Sequence, residues 1–90
     1  RSPQEYSLGQ NYPNPFNPST SIPFALPKSG QASLKVYNLQ GQLVTTVFDR
    51  VYEAGSHRAF FSAQDLAAGV YIYKLTAGDF VAHKKLVLIK

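Results

Sequence analysis

Apolar residues recur at every second position along most of this 90-residue chain, and glycine-containing turns separate the alternating runs. The alternation is clear at 22–26, 32–36 and 71–75, and candidate hairpin turns lie at 38–41 and 77–79. Period-two alternation is typical of strands that bury one face, and turns every ~8–12 residues are typical of an antiparallel sandwich. The pattern therefore predicts an all-β fold, a single Ig-like antiparallel β-sandwich of about seven strands.

The alternation also predicts details within that fold. A short strand is expected near 6–10, the last strand at 80–89, and a polar loop at 50–55. Pro23 lies within an alternating run, and because proline cannot donate to a ladder, its strand is expected at or near a sheet edge. The predicted core comprises Phe24, Leu34, Val36, Phe61, Tyr71 and Tyr73.

Two glycine motifs point to special backbone sites. Gly41 ends a candidate type I turn at 38–41 and is expected in the left-handed region. Leu66-Ala-Ala-Gly-Val-Tyr71 resembles the tyrosine corner of Ig-like sandwiches, in which a tyrosine hydroxyl bonds to backbone a few residues upstream. Gly69 would supply the backbone freedom for that bend. The alternative is that Tyr71 is simply a core aromatic.

A proline segment at 11–20 is the most specific motif of the chain. Pro13, Pro15 and Pro18 surround one aromatic residue, Phe16. Each proline fixes its own φ and disfavours helical geometry in the residue before it. The segment contains no acid, base or strong nucleophile, so it is interpreted as a backbone device or an address label. We expect it to lie along the sandwich with Phe16 as its anchor.

Charge and composition exclude several functional classes. The net charge is +4 and there is no cysteine, so neither a disulfide nor thiol chemistry is possible. Four of the nine bases fall after position 73, but no arginine cluster or recognition helix accompanies them, so nucleic acid is not an expected partner. Lysines that protect an edge strand are the simpler reading of this charge.

Catalytic and metal-binding patterns are absent from the sequence. The five acids are scattered, His57 and His83 are far apart, and there is no Gly-x-Ser-x-Gly or P-loop motif. Asp49 and Glu53 lack the acid density of a dedicated calcium loop. We therefore expect no catalytic residues, no metal site and no cofactor.

A carbohydrate-binding or adhesion module of a secreted enzyme is the alternative function. Sandwiches of this kind bind sugars on exposed aromatic platforms, and Tyr52 and Phe60 are the aromatic residues predicted to face solvent. The competing structural interpretation is that Phe60 belongs to a second core layer and Tyr52 plugs a loop.

The ends of the sequence suggest a module cut from a longer protein. No apolar run approaches the ~20 residues of a membrane span, and no signal peptide opens the chain, so membrane insertion is not expected. Residues 1–7 are interpreted as a linker remnant and residues 8–90 as the domain.

Five motifs occur in an order that resembles the C-terminal sorting domains of type IX (Por) secretion, type A, whose Ig-like fold is similar to that of the flagellar hook-capping protein. They are Asn11-Tyr-Pro-Asn-Pro-Phe-Asn-Pro-Ser-Thr20, Ile22-Pro-Phe-Ala-Leu-Pro27, Val36-Tyr-Asn-Leu-Gln-Gly41, Leu66-Ala-Ala-Gly-Val-Tyr71 and Lys85-Leu-Val-Leu-Ile-Lys90. The resemblance implies a non-catalytic module at the C-terminus of a secreted cargo protein. It implies passage from the periplasm through an outer-membrane translocon, followed by action of a cell-surface sortase that removes the domain and attaches the cargo to the cell surface.

Carried onto this sequence, the family's motif positions are Pro13, Asn14, Pro15, Phe16, Gly41, Gly69, Tyr71, Lys85 and Lys90. Most of these are expected to serve the fold. The last strand, with Lys84, Lys85 and Lys90, is the better candidate for contact with the translocon, because a chain-terminal strand is expected to present a free edge and a free carboxylate. Alternatively, this strand is central and both of its faces are buried.

Overall fold

The computed structural model describes residues 4–89, which contain seven strands and no helix. The all-β prediction is therefore confirmed. The strands are β1 Ser7–Leu8, β2 Ser19–Leu26, β3 Gly30–Tyr37, β4 Leu43–Tyr52, β5 Gly55–Ser62, β6 Gly69–Ala77 and β7 Phe80–Leu88.

The strands form two antiparallel sheets, one of three strands in the order β1-β2-β5 and one of four in the order β4-β3-β6-β7. With β1 to β7 lettered A, B, C, C′, E, F and G, these are the A-B-E and C′-C-F-G sheets of an Ig-like sandwich. The chain crosses between sheets after β2, β4 and β5. The predicted two-sheet sandwich is confirmed.

The core lies between the sheets and is built from the alternating positions. In β2, β3 and β6 every second side chain is buried. The six predicted core residues are all buried, and Tyr73, Leu34 and Val36 have no exposed surface. At one end of the sandwich an aromatic cluster extends this core, with ring centroids about 5 Å apart, formed by Phe24, Phe48, Tyr52 and His57.

The two motif glycines behave as predicted. Gly41 has φ +85° and donates its N–H to the Asn38 carbonyl at 3.0 Å, while the Asn38 side chain accepts from the Gln40 N–H at 2.9 Å. The Tyr71 hydroxyl donates to the Ala67 carbonyl at 2.6 Å, which is the hydrogen bond of a tyrosine corner. Gly69 begins β6 directly after that bend.

The predicted loop at 50–55 is wrong over its first three residues. Arg50 and Tyr52 belong to β4, which pairs with β3 as far as the Gly30–Tyr52 pair. The guanidinium carbon of Arg50 lies 4.6 Å from the centre of the Tyr52 ring. A polar run signals a loop only when its backbone lacks a partner, and here β3 supplies one.

The predicted edge position of Pro23 is also wrong, because β2 is the middle strand of its sheet. The Pro23 carbonyl accepts from the Gly9 N–H at 2.8 Å, but the ring nitrogen has no proton to return to the Gly9 carbonyl. That carbonyl instead accepts from the Tyr73 hydroxyl at 2.7 Å. A core tyrosine thus replaces the ladder hydrogen bond that proline removes, and proline is tolerated in a central strand.

Gly9 is required by the same arrangement. A Cβ atom at Gly9 would lie 2.7 Å from the Pro23 ring carbon Cγ, well inside van der Waals contact. Glycine therefore allows the first strand to approach the proline ring closely.

Candidate functional site

The proline segment folds back on the last strand. The Phe16 N–H donates to the Val87 carbonyl at 3.0 Å, and the Ile89 N–H donates to the Phe16 carbonyl at 2.9 Å, which makes Phe16 and Leu88 a parallel bridge. The Phe16 side chain is only 1% exposed and lies against Phe61, with ring centroids 6.1 Å apart. The prediction that Phe16 anchors this segment over an edge of the core is confirmed.

Polar side chains extend this contact along β7. Asn14 Oδ1 accepts from the Val87 N–H at 3.0 Å, and Gln10 Nε2 donates to the Lys85 carbonyl at 2.8 Å. Together with Phe16, these groups cover the outer edge of β7 from Lys85 to Ile89. The expectation of a free edge at the end of this strand is therefore wrong, because two parts of the chain's own N-terminal third occupy it.

A buried hydrogen-bond network holds the start of the proline segment. Asn11 is 2% exposed, its N–H donates to the Tyr73 hydroxyl at 2.9 Å, and its Nδ2 donates to Thr20 Oγ1 at 3.1 Å. Thr20 Oγ1 in turn donates to the Pro13 carbonyl at 2.9 Å. Sequence reasoning missed Asn11 and Thr20. The available signal was Tyr73, since a core tyrosine needs a partner for its hydroxyl.

Burial raises the pKa of Tyr73 from 10.0 to about 12, and the hydrogen bond from the Asn11 backbone opposes that rise in part. The phenol is therefore held neutral, as a donor to Gly9 and an acceptor from Asn11. The neutral Tyr73 hydroxyl thus links β6 to Gly9 and Asn11, the two neighbours of Gln10.

The motif residues meet at one end of β6 and β7. Phe16 bridges Leu88, Leu88 pairs with Gly69, and Tyr71 pairs with Leu86. The proline segment, the tyrosine corner and the last strand are thus one structural unit, although the proline segment lies about half of the chain before the other two. Gly41 lies apart from this unit, in the turn between β3 and β4.

The outer face of the four-stranded sheet carries a basic pocket of about 460 Å³. Its apolar part consists of Leu39, Val70 and Ile72, and Leu39 is 65% exposed. Its basic part consists of His83, Lys84 and Lys85, all on β7. A cationic rim beside an apolar floor suits a partner that combines carboxylate or phosphate groups with apolar side chains.

The structure brings together two of the three lysines singled out from the sequence. Lys85 is exposed and pairs with Ile72, whereas Lys84 is half-buried and pairs with Tyr73. They alternate in direction along β7, but because β7 is an edge strand both side chains reach the basic pocket. Lys90 lies outside the described residues.

Positive charge continues from the basic pocket toward the middle of the sheet. Lys35 and Lys74 are direct cross-strand partners, and Lys74 Nζ lies 5.5 Å from the centre of the Tyr37 ring. Like charges placed opposite each other destabilise a sheet, so this pair is not explained by stability. An acidic residue, Asp49, lies on the neighbouring strand β4, toward the other end of the β3–β4 pair. Its carboxylate accepts a hydrogen bond from Gln31 Nε2 at 2.6 Å.

Tyr52 and Phe60, the two aromatic residues assigned to a sugar site, are not brought together. Tyr52 packs within the aromatic cluster, whereas Phe60 is 84% exposed on the outer face of the three-stranded sheet. Phe60 therefore does not belong to a second core layer, and Tyr52 is not available as a flat platform.

Within residues 4–89, there is no cluster of three or more histidine, cysteine, aspartate or glutamate side chains placed to hold a metal ion. No helix that could cross a membrane occurs in this described part of the chain.

A family model described as "Secretion system C-terminal sorting domain" matches residues 10–90. The matched range includes the proline segment, the basic pocket and every strand except β1. No curated protein and no solved structure matches the chain.

Proposed function

The chain belongs to the family of secretion system C-terminal sorting domains, and from this we propose how it works: as a folded signal that an outer-membrane translocon reads on β7. Membership makes it a sorting domain of type IX secretion, carried by a protein that reaches the cell surface or the extracellular space. We propose that the cargo is joined upstream, crosses the periplasm first, and is released from the domain by a cell-surface sortase.

The observation that carries the proposal is the basic pocket beside the covered end of β7. Since Gln10, Asn14 and Phe16 occupy the strand edge from Lys85 onward, strand addition by the translocon is blocked there. The side chains of His83, Lys84 and Lys85 line the basic pocket, and those of His83 and Lys85 are exposed. We therefore assign recognition to these side chains and to the apolar floor between them.

The composition of the basic pocket also supports recognition of the folded domain by the translocon. Leu39, Val70 and the three basic residues come from different parts of the chain and form one pocket only after β3, β6 and β7 have paired. A translocon that recognises this pocket would reject unfolded cargo tails, because the separated residues present no common surface.

We propose no catalytic role for this chain. The family is non-catalytic in general. Specificity would then rest on binding alone.

The test removes the pocket's charge without disturbing the core. Residues 1–90 are fused behind a periplasm-exported fluorescent protein in a bacterium with type IX secretion, and surface fluorescence is measured. We expect the Lys84→Ala/Lys85→Ala variant to reach the surface at least about tenfold less, because the loss of even one charge-assisted contact, roughly 1.5–3 kcal/mol, weakens binding by tenfold or more. Lys90→Ala, changed separately, is expected to act in the same direction.

The matched control is Lys28→Ala/Arg50→Ala, which removes the same charge from exposed positions away from the basic pocket. It is expected to behave like the unchanged fusion. Circular dichroism of the purified variants verifies that both are folded. Full surface delivery of a folded Lys84→Ala/Lys85→Ala variant would contradict the assignment of recognition to these lysines.

A further inference from the structure

The outer face of the three-stranded sheet presents two highly exposed aromatic rings. Phe60 is 84% exposed and Tyr12 is 78% exposed. Both belong to one cross-strand row, because Tyr12 pairs with Ser21 on one side of β2 and Phe60 pairs with Ser21 on the other. These two aromatic rings contribute little to the core, and their place in one row makes them available to contact a ligand.

The rest of this face carries mostly small side chains. The outward positions of β2 and β5 near the row are mostly small, and one long side chain, Arg58, lies opposite Pro23 and beside Phe60. The small residues are Ser19, Ser21, Ala25, Ser56 and Ser62. Along the row, Ser21 therefore lies between Tyr12 and Phe60, and further serines lie on the same face.

The backbone spacing of the two positions fits one class of ligand. Tyr12 and Phe60 are two strand spacings apart, about 9 to 10 Å, which is close to the length of a disaccharide unit in an extended β-1,4-linked glycan. Such a chain presents the apolar face of a pyranose ring at each of these positions, and aromatic rings stack on that face. The Ser21 hydroxyl and the Arg58 guanidinium can hydrogen-bond the sugar hydroxyls between and beside the rings.

From this row we propose that Tyr12, Phe60 and Arg58 form a binding site for a linear β-linked glycan. The two rings are separated by a serine and do not form the contiguous apolar patch of a protein interface. One arginine is also too little charge to track a phosphate backbone. The site lies on the opposite sheet from the basic pocket, so one domain can use both surfaces, and the inference does not depend on the proposed sorting function.

Isothermal titration of residues 1–90 with the hexamers of β-1,4-linked glucose, xylose and N-acetylglucosamine tests the site. We expect saturable binding in the millimolar range or tighter for at least one of them. Phe60→Ala and Tyr12→Ala should each weaken that binding roughly tenfold, the scale of one aromatic contact. Arg58→Ala should weaken it several-fold.

Val51→Ala is the matched control, since it removes an exposed apolar side chain from β4 of the other sheet, and it should leave binding unchanged. Absence of binding to all three hexamers would overturn the proposal, as would binding that survives the loss of both rings. Sedimentation equilibrium tests the alternative that a second copy of the chain covers this face. A dimer that becomes monomeric in the Phe60→Ala variant would assign the face to self-association and overturn the glycan site.

Discussion

Phe16→Ala is expected to lower the free energy of unfolding by about 3–5 kcal/mol, the range for truncating a buried phenylalanine. A domain of this size has a total stability of roughly 5–13 kcal/mol, so the loss is a large fraction of it. The side chain is 1% exposed, and its removal leaves a cavity against Phe61. Urea denaturation followed by circular dichroism measures the change.

Phe60→Ala is the matched control, because it makes the same chemical change at a ring that is 84% exposed. It should alter stability by no more than about 0.5 kcal/mol. Hydrogen exchange adds a local test: the amides of Val87 and Ile89, bonded to Asn14 and Phe16, should lose protection before those of β3. Unchanged stability and unchanged exchange at both amides would show that the proline segment does not hold the last strand.

Stability should also fall steeply in alkali, because the pKa of Tyr73 is raised to about 12 by burial. Below pH 10 the phenol is neutral in both folded and unfolded chains, and its full contribution is present. Between about pH 10 and 12 the unfolded chain loses this proton while the folded chain keeps it, so up to about 2–3 kcal/mol of stability is lost across that interval. Urea titrations at a series of pH values measure this loss.

Tyr73→Phe separates this effect from the ionisation of the lysines and the other tyrosines. The variant should start less stable, since it leaves the Gly9 carbonyl without its donor. Its stability should then change less between pH 10 and 12 than that of the unchanged chain. Parallel curves for the two proteins would mean that Tyr73 titrates normally in the folded state.

Period-two alternation predicted the strands and most of their buried faces. Successive side chains of a strand point to opposite faces, so the apolar positions of an alternating run mark the face that is buried. The tyrosine corner was predicted from its motif, because Leu66, Gly69 and Tyr71 lie within one short segment of the sequence.

The errors concern contacts between distant parts of the chain. Pro23 lies in a middle strand because Tyr73, fifty residues later, supplies the missing donor. The end of β7 is covered because Asn14 and Phe16 pair with it. Local propensity contains no information on such pairings. Part of the proposed recognition surface was identified, since Lys84 and Lys85 were singled out. Its apolar floor of Leu39, Val70 and Ile72 was missed because it combines β6 with the distant turn between β3 and β4.

These contacts give the sorting signal a physical basis. The proline segment and the last strand are adjacent in space, so neither forms its native edge without the other. A truncation that removes β7 would therefore also release Phe16 from the core. Loss of sorting after such a truncation could result from loss of the fold or from loss of recognition. The point variants at Lys84 and Lys85 separate these two causes.

The central claim is that this domain is sufficient to send a protein to the cell surface, and one comparison tests it directly. A periplasm-exported fluorescent protein is produced with and without residues 1–90 at its C-terminus, in a bacterium with type IX secretion and in its translocon-deficient derivative. Surface fluorescence is then measured on intact cells. The account predicts surface delivery only for the fusion and only with a working translocon; a folded fusion that stays in the periplasm of the competent strain would contradict it.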